Sequence, residues 1–116
     1  MDALKQLIGK KITKITGEVG SGEIHFKCSN GMEFRMYHEQ DCCENVSVED
    51  ICGDLEDLIG SKITQADEDS NSTENGDGRI RWTFYKFATA KGYVTIRWLG
   101  SSNGYYSERV DFERVK

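Results

Sequence analysis

Apolar positions along the chain follow two rhythms, and the changes of rhythm predict its elements. Val48, Ile51, Cys52, Leu55, Leu58 and Ile59 recur at helical spacing, with Glu49, Asp54, Glu56 and Asp57 on the opposite side. Ser47 followed by Asp50 approximates a capping box, the early carboxylates suit the positive end of a helix dipole, and Gly60 ends the element. A shorter helix is expected after Asp2 as cap, with Leu4, Leu7 and Ile8 on one face and Gly9 at its end.

Elsewhere the period is two. Ile24, Phe26 and Cys28 alternate with His25 and Lys27, and Met32, Phe34 and Met36 alternate with Glu33 and Arg35. A two-residue Asn30-Gly31 turn would set Phe26 opposite Arg35. A three-residue loop, Ser29-Asn30-Gly31, pairs Cys28 with Met32, Phe26 with Phe34 and Ile24 with Met36, so the longer loop is predicted, with Gly31 left-handed. In the second half Ile80, Trp82 and Phe84 alternate with Arg81 and Thr83. Val94, Ile96 and Trp98 alternate with Thr95 and Arg97, with Ala90-Lys91-Gly92 as the turn between the two runs. Tyr105 to Val115 reads as a last strand with Tyr106, Val110 and Phe112 inward.

The pattern also repeats. Leu7-Ile8-Gly9-Lys10-Lys11-Ile12-Thr13 returns about fifty residues later as Leu58-Ile59-Gly60-Ser61-Lys62-Ile63-Thr64, which implies two copies of one supersecondary unit. Two copies are too few for a solenoid. The expected fold class is α+β: a single pseudo-twofold domain over residues 1–116, built of two α-β-β-β units with an antiparallel-rich sheet and two helices. Unit A covers about 1–46 and unit B about 47–116, with residues 67–78 as a mobile acidic loop inserted in the second. Asp67, Asp69 and Asn71 match the first ligand positions of a calcium loop, but Ser72 replaces the turn glycine and Gly78 stands where a bidentate Glu is needed.

Charge narrows the partners. With 20 acidic and 15 basic residues the net charge is −5, which argues against a surface that tracks nucleic-acid phosphates. The N-terminus lacks a basic start, an apolar core and a cleavage site, and no apolar run reaches bilayer length. A cytoplasmic protein is expected, with Cys28, Cys42, Cys43 and Cys52 as reduced thiols and no membrane contact. An exposed edge strand would allow a homodimer.

Two segments follow the third strand of each unit and carry the candidate chemistry. Tyr37-His38-Glu39-Gln40-Asp41-Cys42-Cys43-Glu44 concentrates groups able to ligate, transfer protons or attack as a thiolate. Adjacent cysteines point to opposite faces of a strand and do not give a zinc-ligand pair, and a thiol nucleophile finds no recognisable oxyanion hole. Its counterpart, Trp98 to Glu108, is rich in Gly, Ser and Asn, residues that turn backbone N–H groups toward a phosphate as readily as they build a hairpin turn. Flanking one cleft, the two segments predict a ligand site of His38, Gln40, Asp41, Cys43 and Glu44 on one side and Ser102, Asn103 and Tyr105 on the other. Tyr85, Lys86 and Arg97 complete it from the strands. No cofactor, metal or catalytic residue is assigned.

At MYHEQDCCENVSVEDICGDLEDLIG, and again at WTFYKFATAKGYVTIRWLGSSNGYYSE, the sequence resembles a family of small uncharacterised bacteriophage and prophage proteins, with the His38 to Glu44 run as its most specific element. The resemblance covers most of residues 33 to 112 and implies a viral source acting in a host cytoplasm, without a mechanism. It favours a non-enzymatic accessory protein that sequesters a small anionic, nucleotide-like signal of host defence. Two alternatives stand beside it. One is an acidic nucleic-acid mimic that inhibits a host protein through Glu44, Glu49, Asp50, Asp54, Glu56, Asp57, Asp67, Glu68 and Asp69. The other is a metal- or thiol-dependent enzyme centred on residues 38–44.

Overall fold

A computed structural model of the chain describes residues 3–40, 43–76, 78–103 and 107–116. A single helical turn, α1 (Ala3–Gln6), precedes β1 (Ile12–Thr16), β2 (Glu23–Cys28), β3 (Glu33–Tyr37) and β4 (Asn45–Cys52). A 3-10 turn (Leu55–Leu58) then leads to β5 (Gln65–Asn75), β6 (Gly78–Thr89), β7 (Gly92–Ser102) and β8 (Asp111–Arg114). The strands form two antiparallel four-stranded sheets, ordered β1-β2-β3-β8 and β4-β7-β6-β5. The fold is therefore mostly β, which corrects the α+β expectation of two helices. No helix among the described residues is long and apolar enough to cross a membrane.

Each sheet is a three-stranded meander from one half of the chain, completed by a fourth strand from the other half: β8 joins β3, and β4 joins β7. The repeated sequence clasps the two halves together. The Gly9 N–H donates to the Ile63 carbonyl at 2.8 Å, and its counterpart, the Gly60 N–H, donates to the Ile12 carbonyl at 2.9 Å. Ile8 bridges Ile63, Ile12 bridges Ile59, and Lys11 faces Lys62, so each contact has its mate when the copies are interchanged. Gly9 and Gly60 hold the same left-handed backbone, φ 85 and 86°.

The inner faces of the sheets meet in one core. Phe26 packs on Phe87, Phe112 on Phe26, Phe34 and Tyr85, and the Trp98 indole N–H donates to the Met36 sulfur at 2.9 Å. Register explains which residues arrive there. The β2–β3 hairpin pairs Ile24 with Met36 and Phe26 with Phe34, as the three-residue loop requires, and Gly31 is left-handed.

Three other expectations are corrected. Residues 48–59 form no α-helix beyond the 3-10 turn at Leu55–Leu58, because Val46 and Val48 alternate inward beside the β-branched Ile51. These residues add strand β4 to β7, with a bulge between Val48 and Asp50. The cap in this region is Asp54, whose side chain accepts from the Glu56 N–H, and not Ser47. Residues 67–75 form a strand and not a loop, since β5 pairs along its whole length with β6 and so satisfies the backbone groups on that side without burying its polar side chains. The third correction concerns the β6–β7 turn, which has two residues, Ala90 and Lys91, and closes on a Thr89–Gly92 pair. That register sets Thr83, Tyr85 and Phe87 inward against Trp98, Ile96 and Val94, leaving Ile80, Trp82 and Phe84 on the outer face.

The clasp yields a test. A methyl group on Gly9 would meet open space and one on Gly60 would meet only the Lys91 Nζ at 3.6 Å, so strain would be confined to the left-handed backbone. Gly9→Ala and Gly60→Ala are each expected to lower stability by about 1–2 kcal/mol, and by similar amounts, in urea melts.

Candidate functional site

Both connections that carry a strand from one sheet to the other contain the same short pattern: a buried glutamate, an exposed residue, then a buried valine. It reads Glu44-Asn45-Val46 running into the start of β4 and Glu108-Arg109-Val110 just before β8. Both carboxylate side chains have 0% exposure, so each must be paired.

Glu44 is held from its own connection. Its Oε2 lies 3.0 Å from His38 Nε2, and the Gln40 amide donates to its Oε1 at 3.1 Å and to its carbonyl at 2.7 Å. The other His38 nitrogen, Nδ1, lies 2.7 Å from the Arg109 carbonyl, so the buried imidazole ties the first connection to the second. A proton on Nδ1 serves that carbonyl, and a second proton between Nε2 and Glu44 completes the pair.

Glu108 is held by cations from the far end of β6. Arg79 Nε donates to it at 2.7 Å, Arg81 Nε stands 3.5 Å away, and the Ser102 hydroxyl also donates. Gly100 makes room, since a Cβ there would sit 2.7 Å from the Glu108 Cβ. Burial works against the Glu108 charge, but the hydrogen bonds from Ser102 and Arg79 and the charge of Arg79 outweigh it and hold the carboxyl below its ordinary range.

Around the second connection runs a polar groove. One end is a cavity of about 400 Å³ lined by His38, Glu39, Gln40, Glu44, Ser107, Arg109 and Asp111. The adjoining depression, about 320 Å³, is lined by Glu68, Ser70, Arg81, Thr83, Ser107, Arg109 and Val110. Ser107 and Arg109 belong to both. Arg109 is 76% exposed, with Asp111 beside its Nε at 3.2 Å.

Of the residues expected to bind a ligand, His38, Gln40 and Glu44 come together in this cavity. Asp41 and Tyr105 lie outside the described residues, as do Asp2, Cys42 and Tyr106. Ser102 is turned to Glu108, and Asn103 is exposed. Tyr85 is a correction: it is buried in the core, its hydroxyl donating to the Val110 carbonyl at 3.3 Å. Lys86 and Arg97 lie on the outer face of the second sheet, bound to Asp69 at 3.1 Å and Glu49 at 2.6 Å. Ser107, Arg109 and Asp111 were not anticipated. Aligning Glu44-Asn45-Val46 with Glu108-Arg109-Val110 is the signal that would have extended the second connection to Arg109.

The remaining expectations also change. Cys43 is exposed and disulfide-bonded and offers no thiolate to an enzyme mechanism, and among the described residues Cys28 and Cys52 are the free thiols. Burial raises the pKa of Cys28, with a smaller opposing effect from Lys10. Among the described residues no three His, Cys, Asp or Glu side chains are grouped to hold a metal ion. The nine carboxylates expected on one acidic face are divided: Glu44 is buried, Glu49 and Asp50 meet Arg97, Asp67 meets Lys5 at 2.6 Å, and Asp54 serves as a cap.

Glu108 gives the protein an acid-sensitive element. Because its folded carboxyl titrates below the unfolded one, its stabilisation is present above the unfolded pKa, near 4, and is lost as pH falls through the folded value. Glu108→Gln is expected to lower the urea midpoint at pH 7 and to flatten its decline between pH 5 and 3. A wild-type slope retained in the variant would show that the acid limb arises elsewhere.

No curated protein and no solved structure matches the chain. A family model described as Domain of unknown function (DUF7448) matches residues 5–112, nearly the whole chain, and the protein therefore belongs to that family.

Proposed function

We propose that this protein is a non-enzymatic accessory protein of phage or prophage origin that binds a small nucleotide-like ligand in the groove around Ser107–Asp111 and so sequesters a signal of host defence in the cytoplasm. One observation carries the reading: the groove is chemically two-ended. Glu39 and Asp111 line the His38 end with acceptors, while Arg81, Ser70, Thr83 and Ser107 supply donors beside Glu68 at the other, and Arg109 lines both. A nucleotide has the matching halves, exocyclic amino donors on its base and an anionic phosphate, and a cleft of this size suits a small ligand and not a polymer. The buried His38–Glu44 pair gives the base end a fixed floor, since the ring is anchored on both sides before any ligand arrives.

The acidic-mimic alternative is weakened because its carboxylates are divided: Glu44 is buried and Asp54 serves as a cap.

Calorimetric titration with mononucleotides, cyclic mononucleotides and cyclic dinucleotides tests the proposal. At least one should bind, and Arg109→Glu should weaken that binding at least tenfold. Its urea melt should stay within about 0.5 kcal/mol of wild type, since an exposed ion pair contributes little. An absence of heat across the panel, or an affinity untouched by Arg109→Glu, would overturn the proposal.

A further inference from the structure

The two sheets are built alike, yet their outer faces differ. The first presents Glu23, His25, Lys27, Glu33, Arg35 and Glu113, cross-linked by pairs such as Arg35–Glu113 at 2.5 Å and capped by the Arg35 guanidinium 3.8 Å over Tyr37. That is an ordinary solvated face. The second presents Ile80, Trp82, Phe84 and Leu99 as a contiguous half-buried band, since Trp82 pairs with Leu99 and Phe84 is the next outward residue of the same strand; Tyr93 on this face is 77% exposed. Beside Phe84 is a dent of about 240 Å³ lined by Asp50, Cys52, Phe84, Thr95 and Arg97. Because the pseudo-equivalent face manages with charges, the apolar band is not a requirement of the architecture, and its partly exposed side chains beside the exposed Tyr93 offer apolar contact area to a partner.

The charges say what covers it. Both flanking strands bring carboxylates to the band, Glu49 and Asp50 from β4 and Asp67 and Asp69 from β5. The cations that meet these carboxylates are already engaged, Arg97 by Glu49 and Asp50, Lys86 by Asp69 and Lys5 by Asp67, and the four carboxylates outnumber the three cations. A second copy fits poorly. Sheet-on-sheet pairing about a twofold sets β5 over either β5 or β4 of the partner, and Asp69 then meets Asp69 or the Glu49–Asp50 pair, in a molecule already carrying net −5. We infer that this face docks a basic protein segment that lays apolar side chains over Trp82 and Phe84, seats one in the dent, and sets Lys or Arg against the flanking carboxylates.

Cys52 reports on occupancy, being an exposed free thiol in the dent while Cys28 is buried. The probes are two synthetic peptides with the same Trp-Leu-Phe core, one flanked by Lys and Arg and the other by Glu, and the readout is the rate of Cys52 alkylation. The basic peptide should slow it at least fivefold, and the protection should fall as salt is raised to 0.5 M, about the range in which exposed pairs are screened. Trp82→Glu should abolish the protection. Asp50→Lys and Asp69→Lys, at side chains 53% and 70% exposed, should weaken it without altering the melt. Equal protection by both peptides, or by neither, overturns the inference. So does slowing that appears without peptide as protein concentration rises, with a dimer in sedimentation, because that assigns the face to a second copy. Nucleotide titration of the same variants separates this surface from the groove: Trp82→Glu should leave ligand affinity unchanged.

Discussion

The structure depends on a reciprocal backbone clasp. Two left-handed glycines, one in each copy of the repeated sequence, donate to isoleucine carbonyls of the other copy, and the bridges between Ile8 and Ile63 and between Ile12 and Ile59 fix the halves about a common axis. Leu7 and Leu58, which precede the glycines' isoleucines, are both fully buried, so the clasp is shielded from water by its own sequence. With the two meanders held this way, the fourth strand of each sheet is supplied by the opposite half, and the connections that cross between the sheets place Glu44 and Glu108.

Those carboxylates explain why the polar groove coexists with a tightly packed core. A buried charge is tolerated only with full partners, and each glutamate recruits its partners differently: a histidine and an amide on one side, two arginines and a serine on the other. His38 serves both connections, so the groove has a rigid floor although part of its lining comes from segments without regular structure. Removing Glu108 would strand Arg79 and Arg81 beside the core, a heavier loss than removing any exposed pair on the surface.

How much of this could be read from the chain depended on whether side chains of opposite character alternated. In β2 and β3 they do, and one turn length alone keeps charged residues off the core, so the register was legible to the residue. In β6 apolar residues occupy both phases, Ile80, Trp82 and Phe84 in one and Tyr85 and Phe87 in the other, so the face was decided by a turn shorter by one residue than its composition implied. Between 46 and 59 the apolar spacing satisfies a helix, but the strand is chosen by the edge of β7 waiting for it, a partner distant in sequence. The β5 strand carried no apolar signal, because its order comes from the backbone ladder with β6. At the site, His38, Gln40 and Glu44 were visible as an unusual local cluster, whereas Arg109 and Ser107 become neighbours of that cluster only through the crossing of β8 to the first sheet.

The exchange of β4 and β8 is the geometry of a strand-swapped dimer contained in one polypeptide. Tethering makes the association of the two halves intramolecular, so it holds at any dilution. It also frees them from symmetry. A true homodimer must repeat every substitution on both sides of its axis, but here a change in one meander has no obligatory echo in the other. One outer face can remain charged while its counterpart becomes aromatic, and one buried glutamate can keep a histidine while the other keeps arginines. Joining the halves thus lets a single small chain hold two unlike surfaces on one repeated frame.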